Sequence, residues 1–235
     1  MTVTQATLSV VATPIGNLED ITLRAIRTLK EADAIFCEDT RVTAKLLQRY
    51  EISKPLVRCD EKMEETAAKQ AIEMLEGGKN IALVSDAGTP GISDPGSRLV
   101  RAVRRSSEAL REAGQEPFTI EAIPGASALT AALSIAGLGS GEFTFLGFLP
   151  HKKGRQTALK EIAINERTVV LYESPHRILK LLKELETFAP SKKVIVAKEL
   201  TKMHEEILEG APGEVAKRLE AQKKDRGEFV VIVEK

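Results

Sequence analysis

Ile81-Ala82-Leu83-Val84-Ser85-Asp86-Ala87-Gly88-Thr89-Pro90-Gly91-Ile92-Ser93-Asp94-Pro95-Gly96 runs from an unbroken apolar tetrad into a loop rich in glycine, proline, carboxylates and small hydroxyls. A short apolar run bounded by turn signals reads as a fully buried strand, and the residues after Gly96 carry a helical pattern. The segment is therefore a strand, a loop and a helix, and the loop is longer than a plain strand-to-helix link needs. Its three glycines permit close backbone approach, and its two prolines fix turns around Asp86 and Asp94. We read it as a ligand loop that captures a polar small molecule; the other reading is a connecting turn of unusual length.

The same alternation extends outward in both directions. Toward the amino terminus lie strand Leu8 to Ala12, helix Thr22 to Ala32, strand Ala34 to Cys37, helix Thr43 to Tyr50, strand Leu56 to Arg58 and helix Glu64 to Glu76. The helix after Gly96 and a strand Phe118 to Ile123 complete a pattern that predicts a parallel sheet covered by helices. A break falls near Gly137-Leu138-Gly139-Ser140-Gly141. Beyond it come strand candidates Phe143 to Phe148, Thr168 to Tyr172, Val194 to Leu200, Glu205 to Leu208 and Phe229 to Val233, with helices Lys153 to Ile164, His176 to Thr187 and Gly213 to Gln222. The two strands flanking Thr201 to His204 suit antiparallel neighbours, so the second half reads as mixed. The fold class is α/β, with domains 1–124 and 125–235.

At 235 residues and 43% hydrophobic content, the chain has material for one large or two small domains. Lys plus Arg equals Asp plus Glu, so bulk charge cannot drive tight non-specific nucleic-acid binding. Local basic clusters remain at Arg101-Arg104-Arg105, Lys152-Lys153-Arg155 and Lys192-Lys193, each of which is otherwise a solvated face. Aromatic residues make up 4% with no Trp, which argues against a stacking-based single-strand binder. No apolar run reaches membrane-spanning length and no basic flank leads into a signal-type segment, so the expected compartment is the cytoplasm. Cys37 and Cys59 are expected to be reduced, and with three scattered histidines they offer no metal site.

Ligands of open parallel sheets gather where strands end, and several loops fall there. Thr13-Pro14-Ile15-Gly16-Asn17-Leu18 has one glycine, so it is neither a dinucleotide fingerprint nor a P-loop. Glu38-Asp39-Thr40-Arg41 concentrates acid, hydroxyl and guanidinium; it is either a helix cap with a surface ion pair or a substrate-facing group. Ser127, after Pro124-Gly125-Ala126, either caps the following helix or leaves that helix's free amides to a ligand. In Tyr172-Glu173-Ser174-Pro175-His176-Arg177, Pro175 fits the first position of a helix and His176 sits beside Arg177 at its entrance. His151 and His204 read as surface or core fillers.

Val11 to Leu18, Glu38 to Arg41, Ser85 to Gly96, Pro124 to Ala128, Phe145-Leu146-Gly147-Phe148-Leu149-Pro150 and Tyr172 to Arg177, in that order, resemble the type I small-subunit ribosomal RNA methyltransferases of the tetrapyrrole methylase superfamily. The resemblance spans nearly the whole chain. It implies a parallel-sheet first domain and a mixed-sheet second domain with the cofactor cleft between them, S-adenosyl-L-methionine as donor, 2′-O-methylation of a cytidine ribose in the decoding region of small-subunit ribosomal RNA, and a homodimer. It also implies that Pro14, Asp86, Thr89, Ser127, Ala128, Tyr172 and Ala197 border the donor; no metal and no membrane are expected from the composition and spacing above. The departures are Cys37 before Glu38, Ala126 where a second proline is common, and a lengthened segment around Arg104-Arg105-Ser106-Ser107-Glu108, either an extra helical turn or a longer loop.

An activated methyl donor needs in-line placement more than a covalent intermediate, but a ribose hydroxyl must shed its proton. Glu173, His176, Lys198 and Glu199 are the candidates for that work, and Glu38, Asp39, Thr40, Arg41 and Arg177 for holding substrate. A methylase of a tetrapyrrole or other small molecule would share fold and cofactor, and a non-catalytic adenosylmethionine- or RNA-binding module would lack turnover.

Overall fold

The computed structural model describes residues 5–139, 141–221 and 226–235. Residues 1–4, Ser140 of the predicted break and Gln222 of the last predicted helix lie outside the described residues. The chain divides into two compact units, Met1–Ser127 and Ala128–Lys235.

In the first unit, strands β1 (Thr7–Val11), β2 (Ala34–Cys37), β3 (Leu56–Arg58), β4 (Ile81–Leu83) and β5 (Thr119–Ile123) form one parallel sheet in the order β3-β2-β4-β1-β5. Helices α1 (Leu23–Glu31) and α2 (Thr40–Arg49) cover one face; α3 (Glu64–Glu76) and α4 (Ser97–Glu112) cover the other. Leu8, Ile81, Leu83, Leu99 and Val103 pack on the second face, while Val11, Ala82, Val84, Leu29 and Leu47 pack on the first. Burial on both sides explains why β2 and β4 read as continuous apolar runs rather than alternating ones.

Capping sets the helix starts. The Asp39 side chain accepts from the Arg41 amide, so α2 begins at Thr40, three residues ahead of the predicted Thr43. Thr22 caps α1 through the Ala25 amide. Helix α4 follows Gly96 and has no cap of its own; the buried Glu64 carboxylate of α3 accepts from the Gly96 and Arg98 amides instead, at 2.9 and 2.7 Å. A Cβ on Gly96, whose φ is +120°, would lie 2.9 Å from Leu83 Cδ2, so glycine lets the helix start hard against the sheet. The lengthened segment is helical: α4 runs for 16 residues through Glu112.

The second unit holds β6 (Phe143–Phe148), β7 (Thr168–Glu173), β8 (Val194–Lys198), β9 (Glu206–Gly210) and β10 (Phe229–Val233) in the order β6-β7-β10-β8-β9. Only β6 and β7 run parallel, so the predicted mixed character holds, and β8 and β9 are the expected antiparallel neighbours. Helices α6 (Arg155–Ile164), α7 (Ile178–Phe188) and α8 (Pro212–Ala221) bury one face of this sheet through Leu159, Leu181, Leu185, Val215 and Leu219. Helix α5 (Ala128–Ile135) meets β10, and the Leu129 amide donates to the Tyr172 hydroxyl at 3.1 Å.

Two boundaries differ from expectation for local reasons. Strand β8 stops at Lys198 because Glu199 and Thr201 take left-handed backbone, with φ of 51° and 66°, to turn the chain into β9. Pro175 is not the first residue of α7. It sits in a turn in which the Ser174 carbonyl accepts from the Arg177 and Ile178 amides, and the helix begins at Ile178 without a side-chain cap.

Candidate active site

In the first unit, the loops after all five strands collect at the carboxyl edge of the sheet. Thr13 and Gly88 form a two-way backbone bridge, 2.9 and 3.0 Å, that ties the loop after β1 to the loop after β4. Gly88 has φ of +79°, and a Cβ there would meet Ile15 at 3.3 Å, so this closure requires glycine. The Thr13 hydroxyl donates to the Ser85 carbonyl at 3.1 Å, and the Thr89 hydroxyl donates to the Ala126 carbonyl at 3.3 Å. Pro14, Asp86, Thr89 and Ser127 are thus carried on three loops, two of which are bonded to the Ser85–Gly96 segment.

Acidic side chains concentrate at this edge. Asp86 Oδ1 accepts from the Asp39 amide at 3.0 Å, which joins the β4 loop to the start of α2. Burial raises the Asp86 carboxyl above its usual range. Glu38 is raised by burial and then by the neighbouring charges of Asp86, Asp94, Asp60 and Asp39. Asp94 is pushed up to about 6, chiefly by burial and further by Asp86, against a hydrogen bond with Ser85 that works the other way. Asp39 goes in the opposite direction, held low by its hydrogen bonds with Arg41. The cap-and-ion-pair reading of Glu38 to Arg41 is therefore what the local geometry contains, with Glu38 left unneutralised beside it. Cys37 and Cys59 are buried free thiols, both raised by burial, Cys59 to about 12. Among the described residues no His, Cys, Asp or Glu group could hold a metal ion.

In the second unit the sheet sorts the predicted residues onto two faces. Tyr172, Val230 and Ala197 stand opposite one another on β7, β10 and β8, so they form one row on the face that α5 meets. Phe145 and Phe148 flank the Tyr172 ring edge-on, with centroids 4.9 and 5.7 Å away. Alternation sends Glu173 and Lys198 to the other face, in a row with Phe229. The structure therefore puts Tyr172 and Ala197 in one row, with the first turn of α5 bonded to Tyr172, and separates them from Glu173 and Lys198, which are both buried.

Glu173 is enclosed in an ion network. Its side chain has no exposure, and Oε1 lies 3.2 Å from Arg177 Nε and accepts from the Ser174 amide at 2.9 Å. Oε2 lies 3.9 Å from Arg155 Nη2, and Arg155 also pairs with Glu184 at 2.6 Å. The two guanidiniums then hold the segment after β6: Arg155 donates to the Pro150 carbonyl at 3.2 Å, and Arg177 donates to the Leu149 carbonyl and contacts His151 Nε2 at 3.3 Å. Arg155 thus leaves the exposed Lys152-Lys153-Arg155 cluster, because a buried arginine here neutralises two carboxylates. Lys192 is likewise spent on the Asn165 and Glu234 carbonyls. Glu199 accepts from Lys202 Nζ and from the Glu228 amide, both at 2.9 Å, which fixes the β8–β9 turn. His176 is exposed.

Sequence reasoning set His151 aside, named Asp94 only as a carboxylate of the ligand loop, and did not single out Asp60. His151 had a signal, since it directly follows the Phe145 to Pro150 motif; Asp60 had none, because its link to Glu38 depends on β3 lying beside β2.

A doubly wound parallel unit followed by a mixed-sheet unit, with long loops at strand ends, is the architecture of an α/β methylase. This chain belongs to the Tetrapyrrole (Corrin/Porphyrin) Methylases, whose family model matches residues 7–216. Among curated proteins it is similar to Ribosomal RNA small subunit methyltransferase I of Thermotoga maritima, 41% identical over 96% of this chain and 97% of that one. It is also similar to the protein of the same name from Halalkalibacterium halodurans, 46% identical over 98% of this chain and 76% of that one. Among solved structures, the methyltransferase CobJ gives a TM-score of 0.68 at 22% identity, covering 97% of this chain and 94% of that one. Uroporphyrin-III C-methyl transferase of Thermus thermophilus, complexed with S-adenosylhomocysteine, gives 0.61 at 21%, covering 98% and 97%. At these identities the structural likeness establishes the fold.

Proposed function

We propose that this chain transfers a methyl group from S-adenosyl-L-methionine to the 2′ hydroxyl of a cytidine in the decoding region of small-subunit ribosomal RNA. The observation that carries the reading is identity of 41 to 46% over nearly the full chain with proteins named for small-subunit ribosomal RNA methylation. The donor fits the residues present. Its sulfonium and ammonium are cationic, and the half-buried carboxylates Asp86, Glu38 and Asp94 bind protons more readily than usual, chiefly because burial disfavours their charged form. The apolar row around Tyr172 and Ala197 suits an adenine.

When bound, the donor supplies a methyl group already activated for displacement. Pro14, Asp86, Thr89 and Ser127 of the first unit, and Ala128, Tyr172 and Ala197 of the second, are the donor-binding residues. Glu38, Asp39, Thr40, Arg41 and Arg177 serve the RNA side. Of the four acid-base candidates, Glu173, Lys198 and Glu199 are buried or tied down, which favours His176 as the group that takes the ribose proton. Glu173 then acts as a positioning residue through Arg155 and Arg177.

The acting species is a cytoplasmic homodimer. Phe143, Leu146 and Phe148 are exposed on β6, an edge strand, and a second copy would cover them. Light scattering giving a monomer mass at micromolar concentration would reject the dimer. Labelled adenosylmethionine offered with small subunits, naked ribosomal RNA and a tetrapyrrole tests the reaction: transfer to RNA at the 2′ oxygen is expected, and transfer to the tetrapyrrole alone would overturn it.

A further inference from the structure

The first unit carries a cavity of about 480 Å³ on the sheet face covered by α3 and α4, bordered by Pro90, Gly91 and Gly96 of the Ser85–Gly96 loop. Val10, Leu83 and Ile120 form its floor, and the first turns of α4 its wall. Arg101 and Arg104, three residues apart on that helix, line its rim and are exposed. Among the described residues neither has an ion pair. This sets them apart from Arg155 and Lys192, the members of the other two basic clusters that are spent on internal partners. Glu121 also borders the cavity, but its carboxylate accepts from Ser9 Oγ at 2.7 Å on the opposite sheet face, so it does not neutralise the arginines.

An apolar floor beneath two free guanidiniums matches one nucleotide of an RNA chain, with its base over the aliphatic side chains and its phosphate on the rim. The volume lies within the range of ligand pockets. We propose that this cavity seats a nucleotide of the small-subunit RNA other than the one that is methylated, with Arg101 and Arg104 as its phosphate clamp. The proposal rests on the RNA-methyltransferase reading and adds the RNA-anchoring surface that reading lacks.

Filter binding of the full chain to small-subunit RNA across a salt series tests it, with Arg111→Ala, farther along α4, as the control. Arg101→Ala and Arg104→Ala should each lower the slope of log affinity against log salt by about 0.7, with donor affinity unchanged by calorimetry. Ala122→Leu, which narrows the cavity without altering charge, should weaken RNA binding several-fold at an unchanged slope. If both arginine variants keep the parent slope, or if Ala122→Leu binds RNA as tightly as the parent, the cavity does not seat RNA, and the methyltransferase reading stands unaffected. A parent that binds and methylates no RNA would overturn both. Weakening of the parent complex by millimolar inorganic phosphate, and not by equal ionic strength of chloride, is the further expected result; equal weakening by the two salts would remove the clamp.

Discussion

The two units treat carboxylates at strand ends in opposite ways. After β2 and β4 the first unit sets Glu38, Asp86 and Asp94 near one another, and all three are raised chiefly by burial, with Arg41 offsetting the rise at Asp86 alone. After β7 the second unit encloses Glu173 between two guanidiniums and shares one of them with Glu184. A carboxylate left unpaired at a cost to the free protein is available to a cationic ligand, whereas a neutralised one is committed to holding its neighbours. The first arrangement is what a binding edge needs. The second is what a scaffold needs.

The sharpest way to break this contrast is to unbalance the second unit. Arg155→Ala or Glu173→Ala leaves a buried network one charge short, and should lower stability by about 3 kcal/mol, read from urea unfolding. A loss under about 1 kcal/mol would mean that the network is not a scaffold. His176→Ala touches no part of that network. It should cut methyl transfer about a hundredfold while leaving unfolding and donor affinity at parental values, and an unchanged rate would return the acid-base role to Lys198 or Glu199.

On the first unit the expected effects fall on binding rather than folding. Asp86→Ala should weaken adenosylmethionine about tenfold or more by calorimetry and shift stability by less than about 1 kcal/mol. Equal donor affinity in the variant would remove Asp86 from the site. The smallest effect is the pH response of Asp94. Its folded value, about 6, exceeds the ordinary 3.8, so the folded protein holds this proton more tightly. The stability it contributes is full at low pH and is lost as pH rises from about 4 through about 6. Asp94→Asn should flatten that part of the urea-midpoint profile, and donor affinity of the parent should fall as pH drops below about 6. A parent and variant with superimposable profiles would place the Asp94 titration elsewhere.

How much of this was legible in the sequence follows from which interactions are local. Strands β2, β3, β6 and β10 and helix α3 have the predicted bounds, because burial on a sheet and flanking turn residues leave their mark within each segment. The loops at strand ends were legible for the same reason. Arg155 was not, since an arginine after two lysines has the composition of a solvated face and its burial depends on Glu173 and Glu184 arriving from β7 and α7. The row of Tyr172 and Ala197 needed β10 between their strands, and the contact of Tyr172 with α5 spans 43 residues. Strand order is the property that no local pattern encodes.

Strand β10 has a consequence for how the chain is made. Residues 229–233 are the last strand in the sequence, yet they lie in the middle of their sheet and supply both β7 and β8 with a hydrogen-bonding neighbour. During synthesis the first unit has all five of its strands once Ile123 has emerged, and can fold while the ribosome is still working. The second cannot join its two halves until about a hundred further residues have been added. Until then β7 and β8 expose edges to the cell, so the emergence of five apolar residues decides when the nascent protein stops being vulnerable to aggregation.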